Sequence, residues 1–254
     1  MGFLNFLKGK LPGQPKKYDR KAIEELLAEN KKTSAPLVLK GVEMPGIDLS
    51  NLDLSGADFT ESNLEEANLQ GATLRSVRIR RAEMRDANLS GADLTGGDLA
   101  QSRLRGADLT NADLTGTTLF GAKLEGVKWG NTTFNGTTIS GAQMSGVNLE
   151  GVTFGRLDAV DVQMEGAILR NANLEGAILT GANLAEADLS GANLRDAQLA
   201  CTLRNANLTG ADLTNAQLRY GDAAGANLTD AILEGADLEG LNLEGATIAD
   251  EWRK

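Results

Sequence analysis

The stretch 49–79, LSNLDLSGADFTESNLEEANLQGATLRSVRI, sets a large apolar residue at every fifth position: Leu49, Leu54, Phe59, Leu64, Leu69, Leu74 and Ile79. The series extends in both directions. In one phase it runs from Leu39 to Leu199, 33 centres; it slips by one residue at Ala200-Cys201-Thr202-Leu203 and then resumes from Leu203 to Ile248 with 10 more. Of these 43 centres, 41 are Leu, Ile, Met, Phe or Trp, and the exceptions are Ala159 and Ala223. Two residues before each centre stands a small residue, usually Ala, as at Ala57, Ala67, Ala87 and Ala107. Asp or Asn lies between them, and Gly commonly follows two after the centre.

Five matches neither the 3.6-residue period of a helix nor the alternation of a long strand. It does match a coil of short straight sides joined by tight corners. On an extended side, the centre and the small residue two before it point the same way, inward, while the Asp or Asn between them points outward. The Gly-, Ser-, Thr- and Asn-rich remainder suits turns. Four sides close a square, so twenty residues make one coil. The 43 centres then make nearly eleven coils (43/4), a rod roughly 50 Å long at the ~4.8 Å spacing of neighbouring strands. Each centre stacks on the one twenty residues away. Met44, Met84, Met144 and Met164 fall on one face, and Phe134 and Phe154 stack inside another.

The strings Gly91-Ala92-Asp93-Leu94-Thr95, Asn171-Ala172-Asn173-Leu174-Glu175 and Gly181-Ala182-Asn183-Leu184-Ala185 resemble the A(D/N)LXX consensus of the pentapeptide-repeat family. That resemblance covers roughly 37–248. It implies an all-β solenoid, a right-handed quadrilateral parallel β-helix. Many members of the family look like bacterial proteins, cyanobacterial ones especially, without a known activity; the resemblance therefore implies a rigid scaffold that binds another protein. Other members confer fluoroquinolone resistance as DNA mimics that bind DNA gyrase or topoisomerase IV. This chain departs from those in lacking a long loop between coils and an extended apolar C-terminal dimerisation segment.

The regions flanking the repeat are short. Residues 1–36 form a basic segment, within which 19–32 (DRKAIEELLAENKK) reads as a helix with Ala22, Ile23, Leu26 and Leu27 on one face, suited to capping the first coil. Before it, Phe3, Leu4, Phe6, Leu7 and Leu11 accompany Lys8 and Lys10, and Pro12-Gly13-Gln14-Pro15 separates this stretch from the cap. It suits a membrane-surface or partner helix, but it is too short to hold a bilayer strongly alone, and docking or disorder is the favoured reading. The tail 249–254 carries Trp252, placed to close the far end. No apolar run reaches the ~18 residues of a membrane span; no signal-peptide core and no myristoylation motif are present. A lone Cys201 excludes an internal disulfide framework. A soluble, cytoplasmic protein is expected, either a monomer or an end-to-end dimer.

Chemistry has little to work with. The chain has no His, the commonest general base, and the carboxylates form columns of the repeat instead of a convergent pair in a pocket. The Ca²⁺-binding β-helix motif is absent. No catalytic, metal or cofactor site is expected. The outer walls therefore carry the candidates. Arg75, Arg78, Arg80, Arg81 and Arg85 fall almost within one coil, with Arg103 and Arg105 one coil on. They suit either cross-coil ion pairs or an anionic partner, and the column Glu65, Arg85, Arg105, Glu125 favours the pairs. Phe120 and Tyr220 face outward just after centres and suit interface anchors.

Net charge is −10, split as +4 over residues 1–36 and −14 over the rest. A DNA mimic ~50 Å long needs on the order of 30 net negative charges. The end of the chain, 205–254, comes closest, with nine acids against three bases, among them Asp212, Asp222, Asp230, Glu234, Asp237, Glu239 and Glu244. A protein partner is expected, with a type II topoisomerase as the alternative; neither direct nucleic-acid binding nor stable membrane insertion is.

Overall fold

The computed structural model describes residues 18–33, 35–249 and 252. The apolar basic stretch 3–11 and most of the tail lie outside the described residues.

From Val38 onward the backbone repeats every five residues, and away from the slip and from 128–153 the Asp/Asn position pairs in parallel with the residue twenty further on: Asp48 with Asn68, Asn68 with Asn88, Asn88 with Asp108. Four such positions, as at 48, 53, 58 and 63, complete a turn of the solenoid before the chain returns above itself. The bonds are regular: Leu49 N–H to Asn68 C=O at 2.7 Å, Asn68 N–H to Ile47 C=O at 2.8 Å, Asn51 N–H to Gln70 C=O at 2.9 Å. Each side contributes a single bridging residue between turns, so the described coils contain isolated bridges and no extended strands. A five-residue side with two corner residues leaves no length for more.

The corners close with an N–H from three residues past the centre, as Ala57 N–H to Leu54 C=O at 3.0 Å. Their second residue is left-handed: φ is 68° at Gly56 and 58° at Asn51. This is the position that a type II turn reserves for Gly or Asn, which explains the Gly two after the centre.

Inside, centres and small residues fill the tube with their own side chains; Leu89 and Ala87 are both 0% exposed. Where Ser or Thr replaces Ala at the inward position, its hydroxyl is satisfied by backbone. Ser62 Oγ donates to Leu39 C=O at 2.9 Å and Phe59 C=O at 2.7 Å, and Thr117 Oγ1 to Leu94 C=O at 2.8 Å. The Phe134 and Phe154 rings lie 4.9 Å apart at 48°.

The one-residue slip is absorbed at a single corner. Asn183 bridges Thr202, nineteen residues on, and the offset returns to twenty at Thr202 and Asp222. Cys201 N–H bonds Leu199 C=O at 2.7 Å, a three-residue turn in place of the four-residue one. The neighbouring ladder is undisturbed, with Leu199 N–H to Gln217 C=O and Leu203 N–H to Asp222 C=O both at 2.7 Å. Cys201 takes the inward small position; burial pushes its thiol up to about 12, so the sulfur is protonated filler and not a nucleophile.

Helix α1, Arg20–Thr33, lies against the first coil. Asp19 caps it, its Oδ1 accepting from Ala22 N–H at 2.9 Å, and Lys31 and Lys32 occupy the last turn, where the helix dipole favours cations. Ile23 is fully buried in the solenoid core, with Leu26 and Leu27 packed at its margin. Arg20 spans the contact: both terminal nitrogens reach Ser50 C=O at 3.2 Å, and one lies 3.3 Å from Asp48. Trp252 packs against the core from the other end.

Candidate interaction surface

The outward Asp or Asn does more than face solvent. Its Oδ1 accepts the N–H two residues on, at 3.0 Å for Asp48 with Ser50, 3.1 Å for Asp93 with Thr95 and 3.2 Å for Asn193 with Arg195. Where that residue is Ser or Thr its hydroxyl often donates to the same oxygen, as Thr95 does to Asp93 at 2.6 Å. Repeats with Asp or Asn at this position thus commonly satisfy their own corner amide with an Asx turn, which is why the sequence accepts Asp and Asn alike.

Charge responds accordingly. The hydrogen bonds from Ser50 hold Asp48 below the usual carboxylate range, and those from Ser55 do the same for Asp53. At Asp58, Asp93, Asp108 and Asp188, partial burial pushes upward, but the hydrogen bonds from Thr60, Thr95, Thr110 and Ser190, with a neighbouring cation, outweigh it. A carboxylate depressed in the folded state contributes stability above its unfolded pKa of about 3.9 and loses it as pH falls through the folded value. The melting temperature should therefore hold between about pH 8 and 5 and drop steeply below about 4. Asp93→Asn, which keeps the corner acceptor, should remove its share of that drop when melting is followed by circular dichroism across pH.

Every arginine of the band meets a carboxylate. Arg75 pairs with Asp93 at 2.5 Å, Arg78 with Asp58 at 3.3 Å, Arg80 with Asp98 at 3.1 Å and Arg81 with Glu61 at 3.5 Å. Arg85 reaches Glu65 and Arg105 reaches Glu125, both at 3.0 Å, and Arg103 bonds Glu83. The structure thus brings these residues together as cross-coil pairs, each joining neighbouring coils.

The acidic end is divided. Asp212 pairs with Arg195 at 3.1 Å and Asp222 with Arg204 at 2.9 Å, while Arg219 holds Asp237 at 3.4 Å and also bonds Glu239. Asp230, Glu234 and Glu244 form no ion pair among the described residues. Tyr220 is 72% exposed, under the Arg219 guanidinium at 5.5 Å, with its hydroxyl 3.3 Å from Glu239.

Phe120 stands in a different setting. It is 52% exposed on the wall whose bridging column runs Thr118, Thr138, Asp158, Ile178, Gln198. Reading every twentieth residue gives the column beside it: Ala100, Phe120, Ser140, Val160, Thr180, Ala200. Across the five coils from Thr118 to Ala200 these two columns hold one charge, Asp158, which accepts from Ser140 Oγ at 2.7 Å; Asp98, beside Ala100 one coil earlier, pairs with Arg80. A flat, nearly neutral wall with one projecting ring is unusual on a rod otherwise laced with ion pairs. Phe120 was legible as an outward aromatic; the neutrality around it emerges only when the sequence is read in steps of twenty.

Among the described residues no group of His, Cys, Asp and Glu is arranged to hold a metal, and no helix is long and apolar enough to cross a membrane.

Among solved structures, the chain is similar to HetL, a pentapeptide repeat protein involved in heterocyst differentiation regulation from Nostoc sp. strain PCC 7120. That match has 28% identity over 92% of this chain and 98% of HetL, with a TM-score of 0.41. A pentapeptide repeat protein from the Arabidopsis thaliana thylakoid lumen is 32% identical over 57% of this chain and 79% of its own, TM-score 0.26. QnrB1, a plasmid-mediated fluoroquinolone resistance protein, is 17% identical over 86% and 94%, TM-score 0.31. No curated protein matches. The profile of the family described as pentapeptide repeats matches over 44–81, 82–121, 119–156, 160–199, 200–235 and 211–248. Nearly the whole solenoid is so covered, and the chain belongs to the pentapeptide-repeat family.

Proposed function

We propose that this chain is a non-enzymatic binding scaffold that recognises another protein through an outer wall of its solenoid. The observation that carries this reading is the wall around Phe120: the interior is filled by its own side chains, the arginines of the band are engaged in ion pairs, and among the described residues this wall alone pairs an exposed ring with near-neutral surroundings. The arginine band acts as a brace between coils, and Tyr220 is a secondary anchor at the acidic end. The scaffold reading takes the body 37–248 as a right-handed rod of about eleven coils (43 centres at four per coil), capped by α1, working in the cytoplasm as a monomer or end-to-end dimer.

A Phe120→Glu variant tests this. Wild type immobilised in native lysate should retain a reproducible partner that Phe120→Glu loses, with the melting temperature unchanged. Equal retention by both would remove Phe120 from the interface.

A second reading, a DNA mimic that binds a type II topoisomerase, is favoured by one feature, the carboxylates Asp230, Glu234 and Glu244 left without ion pairs among the described residues. Asp212, Asp222, Asp237 and Glu239 are partly neutralised by arginines, which weakens it. Inhibition of gyrase supercoiling at micromolar protein, insensitive to Phe120→Glu, would favour this reading over the scaffold.

A further inference from the structure

In a regular coil each side exchanges backbone bonds with the next, as Leu89 N–H to Asp108 C=O at 2.8 Å and Asn88 N–H to Ala67 C=O at 2.9 Å. The departures from this rule centre on one stretch, with single bonds also missing beside it, from Asn111 N–H to Gly130 C=O and from Arg156 N–H to Glu175 C=O. Among the described residues, the expected bonds from Gly126, Trp129, Asn131 and Phe134 N–H to the carbonyls of Ser145, Asn148, Glu150 and Thr153 are absent. So are the return bonds from Asn148 and Thr153 N–H to Val127 and Thr132, and the Lys128/Asn148 and Thr133/Thr153 bridges. The gap runs over two adjoining sides only. On the other two the coils stay closed: Leu124 N–H to Gln143 C=O at 2.8 Å, Gly136 N–H to Gly155 C=O at 2.7 Å and Ile139 N–H to Asp158 C=O at 2.8 Å. A cleft of about 420 Å³ lies between the parted lips, lined by Asn131, Thr133, Phe134, Glu150 and Thr153 among others.

The cause lies in the core. Trp129 and Phe134 are successive centres with ring centroids 5.2 Å apart, and Phe134 meets Phe154 of the next coil at 4.9 Å. A solitary aromatic is tolerated: Phe59, between Leu39 and Ile79, keeps both its ladder bonds at 2.7 Å. Three touching rings exceed what two coils ~4.8 Å apart can enclose, and the backbone gives way where they sit. The indole Nε1 of Trp129 is itself buried without a hydrogen-bond partner. Among the described residues no ion pair spans the gap. No residue from 129 to 149 is charged, whereas Arg103 bonds Glu83 before it and Arg170 reaches Glu150 at 2.9 Å after it.

We propose that the rod is jointed at this level: the two closed sides form a hinge line, and the two open sides widen and narrow about it. The joint divides a braced N-terminal section, rich in arginine pairs, from the acidic C-terminal section. The two lengths of wall can then tilt independently against a partner surface. Backbone amides with no ladder partner exchange through small local openings. Hydrogen exchange followed by mass spectrometry should find peptides over 126–134 and 146–153 exchanging about tenfold or more faster than those over 86–94. Replacing both Trp129 and Phe154 by Leu should close the ladder and bring these peptides to the protection of the 86–94 coil. Equal protection of all three segments in the wild-type protein would overturn the joint, and that comparison stands even where the double variant does not fold. A folded double variant with exchange unchanged at 126–134 would also overturn it.

Discussion

Leu89→Ala should lower the stability of the rod by about 2–5 kcal/mol, while Leu238→Ala, the same chemical change near the far end, should cost markedly less. Leu89 is 0% exposed and stacks between Leu69 and Leu109, each also 0% exposed. Removing its isobutyl group leaves a void that neither neighbour can fill, because their backbones are tied into one ladder: Leu69 N–H to Asn88 C=O at 2.7 Å and Leu89 N–H to Asp108 C=O at 2.8 Å. The surroundings are held at their spacing, so relaxation is small and the cost sits toward the upper part of the range. Leu238 is only partly buried and belongs to the final described coil, with no coil above it among the described residues. Solvent already reaches it, so truncation gives up less. Urea unfolding of the two variants, followed by far-ultraviolet circular dichroism, distinguishes the cases. Equal midpoint shifts would mean that the ends of the solenoid are as tightly packed as its middle. Because each coil rests only on its neighbours, Leu89→Ala should also broaden the transition, as the halves on either side lose their coupling.

The same stacking explains which features were legible in the sequence. Five-residue periodicity is a one-dimensional signal, and the fold it implies is nearly one-dimensional, so Leu49, Leu54 and Phe59 are enough to orient every side. Helix α1 was readable for a similar reason, with Ile23, Leu26 and Leu27 on one face, whereas the Asp19 cap emerges only from the structure. The bonds that cross between walls and coils were harder to read. The Asx bond donated by the Thr95 amide to Asp93 is local, yet it needs the corner's backbone geometry before Asp and Asn become equivalent. The pairing of Arg75 with Asp93 joins residues eighteen apart that lie at a shared corner of adjacent coils, a diagonal that steps of five or twenty both miss. The open ladder beside Trp129 depends on ring contacts between two centres and a third a coil away. Composition flags Trp129 as bulky; only the packing decides that Phe59 is tolerated and this cluster is not.

Gly221→Val should destabilise the protein by about 1–3 kcal/mol through overpacking, and inserting one Gly between Ala200 and Cys201 should recover most of the loss. Gly221 occupies the inward small position two before Ala223, where Ala is the rule, and its backbone is not left-handed. Space and not φ selects the glycine. A Cβ there would lie 3.1 Å from the carbonyl oxygen of Leu218, 3.1 Å from that of Cys201 and 3.3 Å from that of Leu199. The contact with Leu218 is intrinsic to the corner, since Gly97 would meet the equivalent Leu94 oxygen at 2.9 Å. The other two come from the coil behind, where the missing residue tightens 199–201 into a three-residue turn. Those oxygens are backbone atoms: Leu199 accepts from Cys201 N–H at 2.7 Å and Cys201 from Asp222 N–H at 3.0 Å, so neither can swing aside as a flexible side chain does. Restoring the five-residue spacing would convert the tight turn to the ordinary corner and withdraw both oxygens from the position. Thermal melting of the wild type, the insertion, Gly221→Val and the combination forms a double-mutant cycle. A positive coupling, with the insertion rescuing Gly221→Val, identifies the slip as a deletion that the next coil accommodates by giving up a side chain. Additive losses would instead place the constraint in the local corner at Leu218 and detach Gly221 from the slip altogether.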